Sequence, residues 1–137
     1  MKRKDFIQTL GTVGVLGVAS SKLMAASTAK KTKKVYFHYL LFWLKPGLST
    51  AEIEGFAQFF EGLKKLPYVK NVRYGKPAAS SPRAVLDNSF SYNASMEFDS
   101  LEELEAYGQL PKHLALVAKY KPYFERMMVH DTVYENL

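Results

Sequence analysis

Apolar and polar residues alternate differently in the two clearest strand candidates of this chain. Residues 89–98 place Phe, Tyr, Ala or Met at every second position and Ser, Asn or Glu between them, which is typical of a strand with one face on a core. The segment Val35–Leu44 (VYFHYLLFWL) is instead apolar on both faces. A strand that is apolar on both sides needs cover on both sides. Because one layer of helices covers one face only, we expect a second subunit on the other.

Two segments between strands carry helix start signals and helical spacing of apolar residues. Ser49 with Glu52, and Ser100 with Glu103, match the capping box, in which each side chain satisfies a backbone donor at a helix start. The inward positions of the first segment recur three or four residues apart; they are Phe56, Phe59, Phe60 and Leu63. The second segment begins with Leu101, Leu104 and Tyr107.

Pro111 divides the second segment. Proline lacks a backbone N–H and clashes with the preceding turn, so it ends one helix and suits the first turn of another. We predict a second helix from Pro111 whose inward face carries Leu114 and Val117. The break allows the end of one helical piece and the start of the next to converge.

The remaining strand candidates are 69–76 and 127–134, which gives the order β-α-β-β-α-β. This order predicts an α+β, ferredoxin-like fold, with a four-stranded antiparallel sheet and both helical segments on one face. The other face stays open in a monomer. We therefore predict a homodimer that pairs two open sheet faces into a dimeric α/β barrel.

The N-terminus has the order of an export signal. Residues 1–29 contain a basic start, an apolar stretch at 10–19 and a run of small residues. The apolar stretch is shorter than the roughly 20 residues of a membrane span, so no stable span is expected after signal removal. Residues 3–7 (RKDFI) resemble a twin-arginine motif with Lys4 in place of the second Arg, and both that route and general secretion stay open. We expect a periplasmic or extracellular protein with a Lys-rich linker at 30–34 and one domain at 35–137.

Charge and cysteine content exclude several functions. The whole chain has a formal net charge of +6, but from Val35 onward it has 11 basic and 12 acidic residues. The domain therefore lacks the basic face that nucleic-acid binding needs. The absence of cysteine rules out disulfides, thiol catalysis and Cys-ligated zinc.

Tyr107 and His113 are the candidate acid/base residues. They flank Pro111, so the break between helices can bring a phenol and an imidazole together. His113 then removes a proton next to a carbonyl, and Tyr107 donates a hydrogen bond to the developing oxyanion. The alternative is structural, with Tyr107 packed under its helix and His113 hydrogen-bonded within its own.

The other histidines have weaker functional interpretations. His38 is either a pocket wall residue or a hydrogen-bonded core histidine, since buried polar groups are usually paired. His130 and Asp131 are adjacent on a strand and point to opposite faces, so they are not expected to share a metal ion. We predict no metal and no cofactor.

The chain resembles the stress-responsive A/B barrel (Dabb) family from about Val35 to Tyr134. The residues that carry the resemblance are Phe37-His38-Tyr39, Leu44-Lys45-Pro46-Gly47, Phe98-Asp99-Ser100-Leu101, Tyr107, Pro111, His113 and His130-Asp131. The resemblance implies a dimeric α+β barrel, in agreement with the order of elements above.

The resemblance also implies a possible activity. One plant member of the family is a polyketide cyclase whose catalytic Tyr and His have the spacing of Tyr107 and His113, although another His precedes its proline where this chain has Leu110. It implies a small apolar or aromatic ligand between sheet and helices, with His38, Phe42 and Tyr92 as candidate binding residues. We therefore expect a cofactor-free cyclase or lyase, or alternatively a non-catalytic, stress-associated binding or structural dimer.

Overall fold

Four strands form one antiparallel sheet in the computed structural model, which describes residues 33–135. They are β1 (Val35–Leu44), β2 (Lys70–Gly75), β3 (Tyr92–Phe98) and β4 (Phe124–Tyr134), in the spatial order β2-β3-β1-β4. The predicted export signal at residues 1–29 lies outside the described residues, as does the linker up to residue 32.

Each predicted helical segment is divided into two short helices. The first contains α1 (Thr50–Gly55) and α2 (Ala57–Leu63), and the second contains α3 (Leu101–Gln109) and α4 (Pro111–Tyr120). A 3₁₀ turn at Lys121–Tyr123 leads into β4. The structure thus confirms the β-α-β-β-α-β order and the ferredoxin-like, α+β fold. Among the described residues, no helix is long and apolar enough to cross a lipid bilayer.

The helix starts follow the sequence signals with one difference. At Ser49 both bonds of the capping box are present, because Ser49 accepts from the Glu52 N–H and Glu52 accepts from the Ser49 N–H. At Ser100 the hydroxyl accepts from the Glu103 N–H, but the Glu103 carboxylate accepts from the Asp99 N–H instead. Both arrangements satisfy backbone donors that a helix start leaves without partners.

The core lies between the helices and one face of the sheet. Phe42 of β1 is fully buried at its centre, in edge contact with the rings of Phe56, Phe59, Phe60 and Phe124 at centroid distances of 5.3 to 5.8 Å. The alternation predicted for β3 is confirmed, since every second residue from Tyr92 to Phe98 is buried. Edge-on packing of this kind is favourable between aromatic rings.

The inward face of α4 differs from the prediction. Leu114 is 51% exposed, whereas Leu116, Val117 and Tyr120 pack on the core. Tyr120 packs against the rings of Phe56 and Phe59, and the predicted inward position of Val117 is confirmed. Leu116 also approaches Gly62 of α2 so closely that a side chain at Gly62 would meet it at 2.9 Å.

The opposite face of the sheet carries no helix among the described residues. Its β1 side chains are apolar: Phe37, Tyr39, Leu41 and Trp43. Beside them β3 contributes Asn93 and Ser95, and Asn93 donates to the Tyr39 hydroxyl at 3.1 Å. From β4, the Arg126 guanidinium lies 4.1 Å from the centre of the Trp43 ring. We call this surface the open face.

Candidate functional site

A cavity of about 580 Å³ lies between α3, α4 and the helix side of the sheet. Its lining is mostly apolar, from Leu40, Phe42, Phe59, Leu63, Leu104, Val117, Met127 and Val129. The polar or titratable side chains that reach it are His38, Glu105, Tyr107, Gln109 and His113. A cavity of this size and lining is typical of a small-molecule site.

The break at Pro111 brings Tyr107 and His113 together, as the sequence predicted. Leu110 is extended between the two helices, which is the conformation that a following proline favours. The ring centres of Tyr107 and His113 are 4.6 Å apart, and both residues line the cavity. The His113 Nδ1 lies 3.2 Å from the Gly108 carbonyl oxygen.

This hydrogen bond assigns the proton on His113. A carbonyl oxygen only accepts hydrogen bonds, so Nδ1 carries the hydrogen and Nε2 keeps a lone pair. Burial lowers the pKa of His113 below its usual value of 6.5; nearby His38 also lowers this pKa, and the Gly108 bond opposes both. His113 is therefore a neutral imidazole at neutral pH, with a free basic nitrogen. In this form it suits general base catalysis.

Tyr107 is held in its protonated form beside His113. Burial raises the pKa of the Tyr107 phenol well above its usual range, and the residue is only 2% exposed. Its ring packs against Phe98 at a centroid distance of 5.0 Å. The hydroxyl oxygen is buried and has no hydrogen-bond partner within residues 33–135. Tyr107 is thus a donor, not a base, and its hydroxyl lies just behind the cavity surface.

We expect Tyr107→Phe to stabilise the fold by about 1 kcal/mol. A buried polar group without a partner costs about 1–3 kcal/mol, and this change removes the group while keeping the ring. For a domain of this size the melting temperature rises by roughly 4–8 °C. Tyr92→Phe is the matched control, because the Tyr92 hydroxyl donates to the Ile53 carbonyl at 3.0 Å. Thermal unfolding should show the control destabilised; destabilisation of both variants would contradict an unpaired hydroxyl.

His38 reaches the cavity from β1 and is hydrogen-bonded across the sheet. It pairs directly with Asp131 of β4, and its Nδ1 lies 2.5 Å from the Asp131 Oδ1. The neighbouring His130 pairs with Tyr39 of the open face. His130 and Asp131 therefore face opposite sides of the sheet, as expected. No cluster of three potential metal ligands is found within residues 33–135.

The two remaining candidate binding residues have different locations. Phe42 contributes to the cavity wall. Tyr92 does not line this cavity: its ring packs against Phe56 and Phe60, and its hydroxyl is committed to the Ile53 carbonyl. We correct its assignment accordingly, since Tyr92 is a core residue here. Glu105 and Gln109 also line the cavity from the last turns of α3, although no sequence pattern marked them as site residues.

The fold and cavity define a ferredoxin-like domain with a mostly apolar cavity between its helices and its sheet. The family model described as "Stress responsive A/B Barrel Domain" (Dabb) matches residues 37–134. The chain therefore belongs to the Dabb family. No curated protein matches the chain significantly.

Several solved structures share this fold. A Dabb family protein from Mesorhizobium loti is 22% identical (TM-score 0.60; 73% of this chain and 96% of that chain covered). A dimeric ferredoxin-like protein of unknown function from Thermobifida fusca is 16% identical (TM-score 0.60; 77% and 96%). A hydroxynitrile lyase from Passiflora edulis is 18% identical (TM-score 0.62; 75% and 95%). At these identities the similarity establishes the fold.

Proposed function

We propose that this protein is a homodimeric, cofactor-independent lyase or cyclase for a small, largely apolar carbonyl compound. The observation that carries the proposal is the pairing of a neutral, half-buried imidazole with a protonated phenol at one apolar cavity. Each group is in the protonation state that its role needs at neutral pH.

His113 and Tyr107 divide the proton chemistry between them. The His113 Nε2 removes a proton from a hydroxyl group or from a carbon next to a carbonyl. The Tyr107 hydroxyl donates to the carbonyl oxygen as negative charge develops there, and its lack of a protein partner leaves it available. Because the hydroxyl lies behind the cavity surface, the substrate oxygen reaches it by a small displacement of the wall.

Two substrate classes agree with the cavity. One aromatic ring with a short polar chain fits a mostly apolar space of about 580 Å³. The fold shared with the Passiflora edulis hydroxynitrile lyase makes aromatic hydroxynitriles the first class. The resemblance to the plant polyketide cyclase makes short β-polyketones the second. For both classes, the reaction breaks or forms a bond next to a carbonyl group and needs a base and a hydrogen-bond donor to the carbonyl oxygen.

The dimer proposal rests on the open face. Four large apolar side chains of β1 lie there without helix cover, and the Thermobifida fusca neighbour is described as dimeric. Pairing of two open faces leaves the cavity on the outer side of each sheet, beneath its own helices. Each subunit then holds a complete site.

Export is a separate part of the proposal and rests on the sequence of residues 1–29 alone. Fractionation of cells that express the full chain should place the shortened, mature domain outside the cytoplasm. A full-length protein retained in the cytoplasm would contradict this part and leave the site chemistry unaffected.

Blocking the cavity tests the site. We expect Val117→Phe to weaken binding of benzaldehyde at least tenfold and to abolish turnover, because Val117 lines the cavity and the larger ring occupies it. Ala115→Phe is the matched control, since Ala115 is exposed on the same helix. Binding is followed by chemical shifts, and turnover by assays with mandelonitrile and a linear β-polyketone.

The results with these variants distinguish an enzyme from a non-catalytic binding dimer. Turnover by the wild type and the Ala115 variant, with loss in the Val117 variant, supports an enzyme. Saturable binding without turnover supports a non-catalytic binding dimer. Equal behaviour of the two variants would contradict the cavity as the ligand site.

A further inference from the structure

We propose that His38, positioned by Asp131, is a second proton-transfer residue of the cavity. The site then works with two imidazoles, one basic and one acidic. This inference rests on the proposed function and assigns the group that protonates the departing fragment.

The hydrogen bond between His38 and Asp131 fixes the orientation of the imidazole. The two residues are directly opposite each other on β1 and β4, with Nδ1 and Oδ1 at 2.5 Å. An ionised carboxylate only accepts hydrogen bonds, so the hydrogen lies on the His38 Nδ1. The other nitrogen, Nε2, is left for the cavity that His38 lines. Asp131 is a positioning residue here, because it acts through the imidazole.

His38 and Tyr107 both pack against the ring of Phe98. The Phe98 ring is 6.2 Å from His38 and 5.0 Å from Tyr107, and Tyr107 is 4.6 Å from His113. His38 and His113 line the same cavity. A bound molecule thus meets an imidazole from the sheet and another from the helices.

Accessibility favours His38 as the second polar group for a ligand. The Tyr107 hydroxyl is fully buried, whereas the His38 side chain is 16% exposed. The adjacent cavity wall at the edge of the sheet is Met127 and Val129, which are 44% and 41% exposed. Of these two polar groups, His38 is therefore the more accessible to a ligand.

The surroundings of the two histidines differ in a way that agrees with different roles for His38 and His113. The Asp131 carboxylate is bonded directly to the His38 imidazole, whereas no carboxylate is bonded to His113 within residues 33–135. His38 is also one of the causes that lower the pKa of His113, after burial. We therefore assign the acid role to His38, which Asp131 contacts directly, and the base role to His113.

Cleavage of a hydroxynitrile shows how the roles combine. The His113 Nε2 takes the hydroxyl proton, and the O–H electron pair becomes the second bond of the carbonyl. The bond to the nitrile carbon breaks, and its electron pair leaves with cyanide. Protonated His38 gives its Nε2 proton to cyanide, which departs as hydrogen cyanide. Solvent then returns one proton from His113 to His38, so atoms, charge and electrons balance.

The test compares Asp131→Ala with Glu125→Gln, which removes an exposed carboxylate from the same strand. Nitrogen NMR of ¹⁵N-labelled histidine reads the tautomer of His38, with the signals assigned through His38→Gln. In the neutral form of His38, the wild type and Glu125→Gln should show the Nδ1–H tautomer, and Asp131→Ala should lose that preference. With mandelonitrile, kcat should fall about 10- to 100-fold in Asp131→Ala with little change in KM, as expected for a misplaced catalytic group.

The readouts keep this inference distinct from the proposed function. An unchanged His38 tautomer or an unchanged kcat in Asp131→Ala overturns the inference, even when the wild type is active. Should the wild type have no turnover, titration with benzaldehyde decides. A shift of the His38 Nε2 signal that Asp131→Ala abolishes supports the placement of His38 at the ligand. A shift at His113 with none at His38 overturns it.

Discussion

Substituting Gln for His113 should lower kcat/KM for mandelonitrile or the β-polyketone by about 10²–10⁴. This is the usual contribution of a positioned general base. The Gln amide is of similar size and can still donate to the Gly108 carbonyl, so the helix start is preserved while the basic Nε2 is lost. Lys112→Gln is the matched control, because Lys112 is exposed beside it on α4. Equal loss in both variants would remove His113 from the role of base.

The same substitution should change the pH dependence. Burial lowers the pKa of His113, so its neutral, basic form persists below 6.5. The acid limb of kcat/KM should therefore lie below 6.5 in the wild type and disappear in His113→Gln. The stability of the fold depends on pH in the same direction. The contribution of neutral His113 to the free energy of unfolding is present above pH 6.5 and is lost as the pH falls through the lowered pKa. An acid limb above 6.5 would contradict the assignment.

Local patterns in the sequence were enough to predict the order of elements. The alternation at 89–98, the Ser49–Glu52 capping box and the break at Pro111 are all present in the structure. Each of these signals depends on residues within one or two turns of one another. Such signals determine where an element starts or which of its faces is buried, before any tertiary contact is known.

Contacts between elements that are distant in the chain could not be predicted from local sequence patterns. The local pattern placed Leu114 inward on α4, but Leu114 is 51% exposed. Tyr120 instead packs against Phe56 and Phe59, which are some sixty residues earlier in the chain. The pairing of His38 with Asp131 depends on the register of β1 and β4, which no local pattern gives. The commitment of Tyr92 to Ile53 is of the same kind.

The candidate site was therefore predicted in part. Tyr107 and His113 are close in sequence, and the proline between them is enough to predict their approach. His38 was a candidate without a known partner, while Asp131 was considered only beside His130 as a metal ligand. The structure places Asp131 with His38 because β1 and β4 are neighbours in the sheet. The pairing of β1 with β4 thus shows that His38 is a residue positioned by Asp131 and not only a residue of the cavity wall.

The helix layer encloses the candidate site, whereas the open face is the proposed surface for assembly. Burial beneath the helices depresses the pKa of His113 and raises that of Tyr107, which needs an apolar, enclosed space. The open face contributes nothing to that enclosure. Its apolar residues have no helix cover within residues 33–135, and they are the proposed contact between two sheets. Site chemistry and assembly are therefore expected to respond to different substitutions.

Leu41→Asp should convert the dimer into a monomer at micromolar concentration. Leu41 lies at the middle of the open face, paired with Asn93 on one side and Met128 on the other. Full burial of a Leu side chain contributes about 1.5–3 kcal/mol. A two-fold interface contains the residue twice. The loss of both contacts raises the dissociation constant by at least about a hundredfold. The cost of burying two carboxylates raises it further.

Leu114→Asp makes the same chemical change on the other layer and provides the control. Leu114 is 51% exposed on α4, away from the open face, so this variant should sediment as a dimer like the wild type. Circular dichroism and thermal unfolding establish that both variants are folded. A dimer that survives Leu41→Asp would place the interface elsewhere, and a wild-type monomer would contradict the association of open faces. Turnover retained in monomeric Leu41→Asp would show that each cavity works within one subunit.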